Sequence, residues 1–227
     1  MRNKRRAAPP VSPPPRGGGR RKAATLGALS NGRFSVCVYC GSRLGTQPAY
    51  RALAQALGQA IGRRGWQLVY GGGRAGLMGE VAEATLAAGG TVVGVIPDSL
   101  MKLEVGHAGL TELHVVDTMH QCKQMMAERS DAFIAMPGGI GTFEELFEVW
   151  TWRHLGYHDR PLGLLETAGY WAPMVAFLHH SVAEGFMDDG QMAMLHIDDD
   201  IERLLDRLAM TARDQAGNLL DDDFSRI

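Results

Sequence analysis

The sequence predicts an α/β fold: a parallel sheet with helices on both faces, in a single domain. Three observations lead there. Short β-branched and apolar runs alternate with longer segments whose apolar residues recur at helical spacing. Glycine-rich turns follow three of the predicted strands, at 40–45, 71–76 and 137–141. The 227 residues, 45% of them hydrophobic, suffice for one core of ordinary size.

Taken in order, residues 34–40 read as the first strand, a β-branched and apolar run that ends at the turn Cys40-Gly41-Ser42-Arg43-Leu44-Gly45. Residues 48–64 form an Ala/Leu helix with Leu53, Ala54, Leu57, Ala60 and Ile61 on one face. The second strand, 66–70, leads through Gly71-Gly72-Gly73-Arg74-Ala75-Gly76 into a second helix over 77–88. A third strand at 91–96 is stopped by Pro97, and 98–110 is irregular. A short strand at 113–116 and a helix at 118–128 follow, then a buried strand at 130–136. The closing elements are a strand at 161–165 and helices at 171–184 and 198–208. Crossovers in such a sheet are right-handed, and ligands bind at the carboxyl ends of the strands. All three glycine turns fall on that edge and make one site.

The most informative stretch is Pro137-Gly138-Gly139-Ile140-Gly141-Thr142-Phe143-Glu144-Glu145, between a strand and a helix. Bare backbone N–H groups at a helix N-terminus form an anion site, with no side chains blocking a phosphate. A plainer account makes Thr142 an N-cap and Glu145 its capping-box partner. That account leaves three glycines and a proline unexplained. Gly71-Gly72-Gly73-Arg74-Ala75-Gly76 also fits G-x-G-x-x-G, with Asp98 at a suitable distance for a ribose contact. It follows the second strand rather than the first, which weighs against a dinucleotide-dependent oxidoreductase.

Charge is distributed unevenly. The first acidic residue is Glu80, and 14 Lys/Arg precede it, 8 of them in the first 22 residues. From Glu80 onward stand 9 Lys/Arg and 25 Asp/Glu. Residues 1–32, rich in Arg, Lys, Pro and Gly, are expected to be a disordered basic tail, 33–212 the folded catalytic domain, and 213–227 a polar C-terminal tail. The tail lacks the apolar core of a secretory signal. The acidic body argues against nucleic acid as its partner, and no apolar run is long enough for a membrane span.

Cys37 and Cys40 match C-x-x-C, but on a strand their side chains face opposite ways, and no second pair completes a zinc site. Free buried thiols fit a reducing cytoplasm, the expected location. His154 and His158 are four apart, yet Gly156 interrupts the helix between them, so no metal site is expected. Trp150, Trp152 and Leu155 suit either a dimer seam or core packing.

The glycine turn 71–79, the run Met119-His120-Gln121-Cys122-Lys123-Gln124-Met125-Met126 and the signature P-G-G-x-G-T-x-x-E at 137–145, matched in full, closely resemble the LOG family. These are cytokinin riboside 5′-monophosphate phosphoribohydrolases, often mislabelled lysine decarboxylases. The resemblance covers about residues 34–208. It implies a Rossmann-like homodimer that cuts the N-glycosidic bond of a nucleoside 5′-monophosphate to free base and ribose 5-phosphate, with no metal or redox cofactor. By motif position, Gly139, Ile140, Gly141 and Thr142 resemble the phosphate loop, continued by Phe143 and Glu144, and Glu145 the catalytic carboxylate. Glu104, Lys123 and Thr151 fall where family members contact substrate. Met125 or Phe143 are candidates to touch the base.

One departure matters. The family motif M-H-x-R-K reads Met119-His120-Gln121-Cys122-Lys123 here, so Cys122 stands where the family has a catalytic arginine. A thiol supplies neither the permanent charge nor the forked donors of arginine. Losing such a group costs roughly 10²–10³-fold in rate. Three readings follow: a variant of an active enzyme, a member in which Lys123 or Arg74 substitutes, or a protein that binds nucleotides without cleaving them. Some proteins of similar fold, such as molybdenum-cofactor carriers, bind without cleaving. A decarboxylase would need a Schiff-base lysine, and beyond the tail only Lys102 and Lys123 exist.

Overall fold

Seven short strands with consistent burial define the centre of the computed structural model, which describes residues 32–102, 106–107 and 109–224, with side chains to residue 215. The expected tail at 1–32 lies outside the described residues except for Gly32, and so does Glu104. The strands are β1 (Ser35–Tyr39), β2 (Gln67–Tyr70), β3 (Thr91–Pro97), β4 (Glu112–Val116), β5 (Ala132–Ala135), β6 (Leu162–Leu165) and β7 (Leu195–Asp198). Their order is β4-β3-β2-β1-β5-β6-β7, and every pairing is parallel. Strand order reverses between β1 and β5, where Val38 lies opposite Ile134 and Tyr39 opposite Ala135.

That reversal places the helices. A right-handed crossover lands on one face when the chain steps one way across the sheet, and on the other face when it steps back. Accordingly α1 (Pro48–Arg63) and α2 (Gly76–Ala87) cover one face, while α4 (Met119–Glu128), α5 (Ile140–His154) and α6 (Ala172–Ala183) cover the other. The last helix, α8 (Ile201–Phe224), returns to the first face through Leu204, Leu205 and Leu208. Side-chain alternation along β1 divides the cores: Val36, Val38 and Cys40 face α1, whereas Cys37 and Tyr39 face α4 and α5. Cys37 and Cys40 thus point to opposite faces, as the strand period requires, and each is a buried free thiol.

The α1–α2 contact is unusually close. A Cβ on Gly58 would stand 2.4 Å from the Val81 carbonyl oxygen and 2.8 Å from the Ala84 Cβ. The Ala/Gly content of α1, which at sequence level reads as helix propensity, serves this approach.

Several elements differ from expectation. β7 was not anticipated, because its residues Leu195-His196-Ile197-Asp198 carry one buried aliphatic among half-buried positions, the weak pattern of an edge strand. Two short helices, α3 (Asp98–Met101) and α7 (Asp189–Ala193), occupy stretches without amphipathic period. α8 runs to Phe224, well past the expected end at 208 and through most of the stretch 213–227 read as a polar tail. The sequence has a capping box at Thr118-x-x-Gln121, where Thr118 accepts from the Gln121 backbone and the Gln121 side chain accepts from the Thr118 N–H.

Gly58→Val should be destabilising by about 1–3 kcal/mol, since it forces two packed helices apart. Thermal unfolding of the purified variant checks this, and an unchanged midpoint would contradict the close packing of α1 on α2.

Candidate active site

Three turns meet at the carboxyl end of the sheet, beside the strand-order reversal. The turn after β1 begins at Cys40, the turn after β2 at Gly71, and the turn after β5 at Met136. Gly41 holds them together: its N–H donates to the Pro137 carbonyl at 3.1 Å, and its carbonyl accepts from the Leu77 N–H at 3.0 Å. Such contact requires bare backbone. A Cβ on Gly76 (φ +63°) would stand 2.2 Å from the Ser42 carbonyl carbon, and one on Gly138 would stand 2.1 Å from the Thr142 hydroxyl. The side chain of Tyr170, from the loop after β6, reaches in and donates its hydroxyl to the Gly138 carbonyl.

The turns enclose a cavity of about 630 Å³ lined by residues 137–142, Glu145, Cys122 and Arg43, with Met78, Leu100 and Met119 among its apolar walls. α5 starts at its floor. Gly139 is the N-cap, no side chain caps the helix, and the first intrahelical bond runs from the Phe143 N–H to the Gly139 carbonyl. The capping box of the plainer account, between Thr142 and Glu145, is therefore absent. Thr142 sits three positions into the helix, buried beneath Gly138, because the paired glycines let the helix begin earlier. The N–H groups of Ile140, Gly141 and Thr142 precede the first intrahelical bond and remain available. A Cβ on Gly139 or Gly141 would meet nothing within 4 Å. Nothing in the fold requires glycine there for space, and the bare backbone opens onto the cavity.

Glu145 lies one turn beyond Gly141 on the same side of α5, about 6 Å along its axis. Burial, with Glu144 and Glu148 nearby, pushes its carboxyl up to about 8, against a smaller opposing pull from Lys123. Lys123 itself is buried and bridges α4 to α5, with Nζ 2.6 Å from Glu144 Oε1 and 3.0 Å from Glu148 Oε1. Cys122 lines the cavity with its thiol donating to the Val95 carbonyl at 3.2 Å. Burial, reinforced by Glu145, pushes that thiol up to about 12, so it is neither a cation nor a ready nucleophile.

The structure thus brings together Gly139, Ile140, Gly141, Thr142, Glu145 and Cys122. It places five other expected residues elsewhere. Phe143 turns into the core and meets Trp171 edge-on at 5.8 Å, and Met125 packs against the same core, so neither lines the cavity. Glu144 and Lys123 are paired with each other. Thr151 is exposed, its hydroxyl donating to the Phe147 carbonyl at 2.7 Å. The helical period explains this: Gly141, Thr142 and Glu145 share one side of α5, and Thr151 falls on another. Arg43, Tyr170 and the Met78/Leu100 wall escaped sequence reading. Arg43 lay within a recognised glycine turn, whereas nothing local marks Tyr170.

Neither lysine of the described residues suits a Schiff base, since Lys102 pairs with Asp98 at 2.8 Å and Lys123 is held by two carboxylates. His158 is structural: its Nε2 donates to the Val149 carbonyl, its Nδ1 accepts from the Arg160 N–H, and burial holds its pKa down to about 4. Trp150 is core, its indole N–H donating to the Gln191 carbonyl.

The raised Glu145 carboxyl has a signed consequence. The folded protein keeps a proton there up to about 8, whereas the unfolded chain releases it near the ordinary 4.5. Stability is therefore lost as pH rises through that window. Glu145→Gln, which cannot ionise, should unfold a few degrees above the parent at pH 9 and level with it at pH 5, at about 2–4 °C per kcal/mol for this size. Equal midpoints at pH 9 would show that Glu145 titrates normally.

Comparison with known proteins points to one family. The family model described as "Possible lysine decarboxylase" matches residues 78–208. A cytokinin riboside 5′-monophosphate phosphoribohydrolase of Rhodococcoides fascians is 51% identical over 169 residues, 74% of this chain and 85% of that protein. One of Arabidopsis thaliana is 47% identical over 152 residues, 67% of this chain and 71% of that one. Among solved structures, a molybdenum cofactor binding protein from Rippkaea orientalis superposes with a TM-score of 0.60 at 20% identity, covering 78% of this chain and 96% of its own. A molybdenum cofactor carrier protein from Chlamydomonas reinhardtii superposes at 0.59 and 21%, covering 81% and 98%. At such identities the structural matches speak for the fold alone. Sequence identity near one half, spanning most of both chains, makes this chain a member of the LOG family, the cytokinin riboside 5′-monophosphate phosphoribohydrolases.

Proposed function

We propose that this protein hydrolyses the N-glycosidic bond of cytokinin riboside 5′-monophosphates, and of AMP, to free base and ribose 5-phosphate. The observation that carries the reading is the juxtaposition of an uncapped, glycine-lined helix N-terminus with a half-buried carboxylate one turn further along the same helix. The phosphate sits at the N–H groups of Ile140, Gly141 and Thr142, where the helix dipole favours it. The ribose spans the interval to Glu145. As the glycosidic bond breaks, positive charge builds on the ribose ring; the Glu145 carboxylate stabilises it and takes a proton from the attacking water. The base leaves with the bond's electron pair, toward the apolar wall of Met78, Leu100 and Met119, and takes a proton from solvent, to which Glu145 returns the one it took. That wall replaces Met125 and Phe143 as the surface for an N6 substituent.

Lys123 acts at one remove in this scheme. By holding Glu144 and Glu148, it limits the negative charge that Glu145 feels. The reading extends to a homodimer, supported by an outward face of α5 on which exposed Phe147, Thr151 and Leu155 repeat every four residues. No helix of the described residues is long and apolar enough to cross a membrane, and a cytoplasmic location accords with three buried free thiols. One observation favours a second reading, a carrier that binds without cleaving: Cys122 puts no positive charge at the family's arginine position.

Product release separates the two. Incubation with isopentenyladenosine monophosphate or AMP, followed by chromatography, should show free base from the parent and none from Glu145→Ala. Cys122→Arg should raise the rate by about 10²-fold if the arginine's role is electrostatic. Release from none of the three proteins would sink the hydrolase reading and favour the carrier. If ionised Glu145 is required, kcat/KM should fall about tenfold per pH unit below about 8. A second limb should appear near about pH 6, where the substrate phosphate titrates.

A further inference from the structure

The cavity as described holds too much negative charge for its ligand. A nucleotide phosphate brings close to two charges, and catalysis wants Glu145 ionised beside it. The α5 N-terminus offers roughly half a positive charge. Cys122 adds none. Lys123 is spent on Glu144 and Glu148, and Arg74 is not part of the cavity wall.

Arg43 remains. Among the described residues it is the only lysine or arginine lining the cavity, and it makes no hydrogen bond, ion pair or ring contact. Its backbone is tightly placed. The Arg43 N–H nitrogen lies 2.3 Å from where a Cβ on Gly76 would stand. Its carbonyl oxygen and the Gly138 Cα lie 3.1 and 3.3 Å from where a Cβ on Gly41 would stand. The residue is thus wedged between two glycine turns, close to the phosphate loop, while its side chain is exposed. A fixed backbone carrying an unpaired guanidinium at the rim of an anion site is what phosphate recognition calls for: a forked set of donors, always charged, with little backbone left to order.

We propose that Arg43 is the phosphate-binding cation of this site, closing over the phosphate from the turn after β1 opposite the α5 N-terminus. This rests on the nucleotide reading above. It assigns the positive charge to neither Lys123 nor Arg74, and it supplies the charge that the thiol at position 122 does not.

The test is calorimetric binding of AMP and of adenosine to the full chain and to Arg43→Ala, Arg43→Lys and Arg74→Ala, with no turnover needed if Glu145→Gln is the background. Arg43→Ala should weaken AMP about 10–100-fold and leave adenosine unchanged, which also shows that the variant is folded. Arg43→Lys should recover part of the loss, and Arg74→Ala should match the background. If Arg43→Ala keeps the background's preference for AMP over adenosine, Arg43 is not the phosphate ligand and the proposal falls while the nucleotide reading stands. If the background protein itself shows no preference for AMP, the nucleotide reading falls and the proposal with it.

Discussion

Two hydrogen bonds of a single peptide unit region organise the functional end of this molecule. Gly41 gives its N–H to the turn after β5 and its carbonyl to the start of α2. Through these bonds three loops, nearly 100 residues apart at the extremes, become one surface. The demand for bare backbone at Gly76 and Gly138 follows, since a Cβ there would stand 2.2 and 2.1 Å from its nearest neighbour atom, while one at Gly41 would press within 3.1 Å of the Arg43 carbonyl oxygen. The glycines of the signature divide by this criterion. Gly138 is needed by the fold, whereas Gly139 and Gly141 face open space.

The electrostatics follow from the same packing. Closing the turns over α5 half-buries Glu145, and the lost hydration lifts its carboxyl up to about 8. Two more carboxylates stand on the same helix, and Lys123 from α4 answers them. A buried lysine held by two glutamates is costly to desolvate and costly to break. It is therefore better suited to fixing α4 against α5 than to meeting a ligand that comes and goes. Cys122, its neighbour in sequence, makes a neutral bond to β3 and closes the cavity wall without adding charge.

How much was legible beforehand depended on whether the signal was local. Alternating strand and helix patterns, the glycine turns and the direction of Cys37 and Cys40 all follow from side-chain period and turn chemistry, and the structure has them as read. The plainer account of Thr142-x-x-Glu145 as a capping box does not hold, because the glycine pair before it lets the helix start at Ile140. Residues carried over by motif fared according to helical phase: Thr142 and Glu145 share the cavity side of α5, while Phe143, Glu144 and Thr151 do not. β7 went unseen because an edge strand takes its identity from the neighbour it pairs with, here Leu162–Leu165, rather than from its own composition.

By itself, then, the sequence determined the sheet class, the edge on which the site lies, the phosphate-loop candidate and the carboxylate. Each is written in contiguous residues whose geometry is set by backbone propensity and period. Only the tertiary structure decided the charge state of Glu145, the pairing that removes Lys123 from the cavity, and the arrival of Arg43, Tyr170 and the Met78/Leu100 wall around it. Those properties arise from desolvation and from contacts between residues far apart in the chain. No local pattern encodes them, because they exist only once the sheet has brought its turns together.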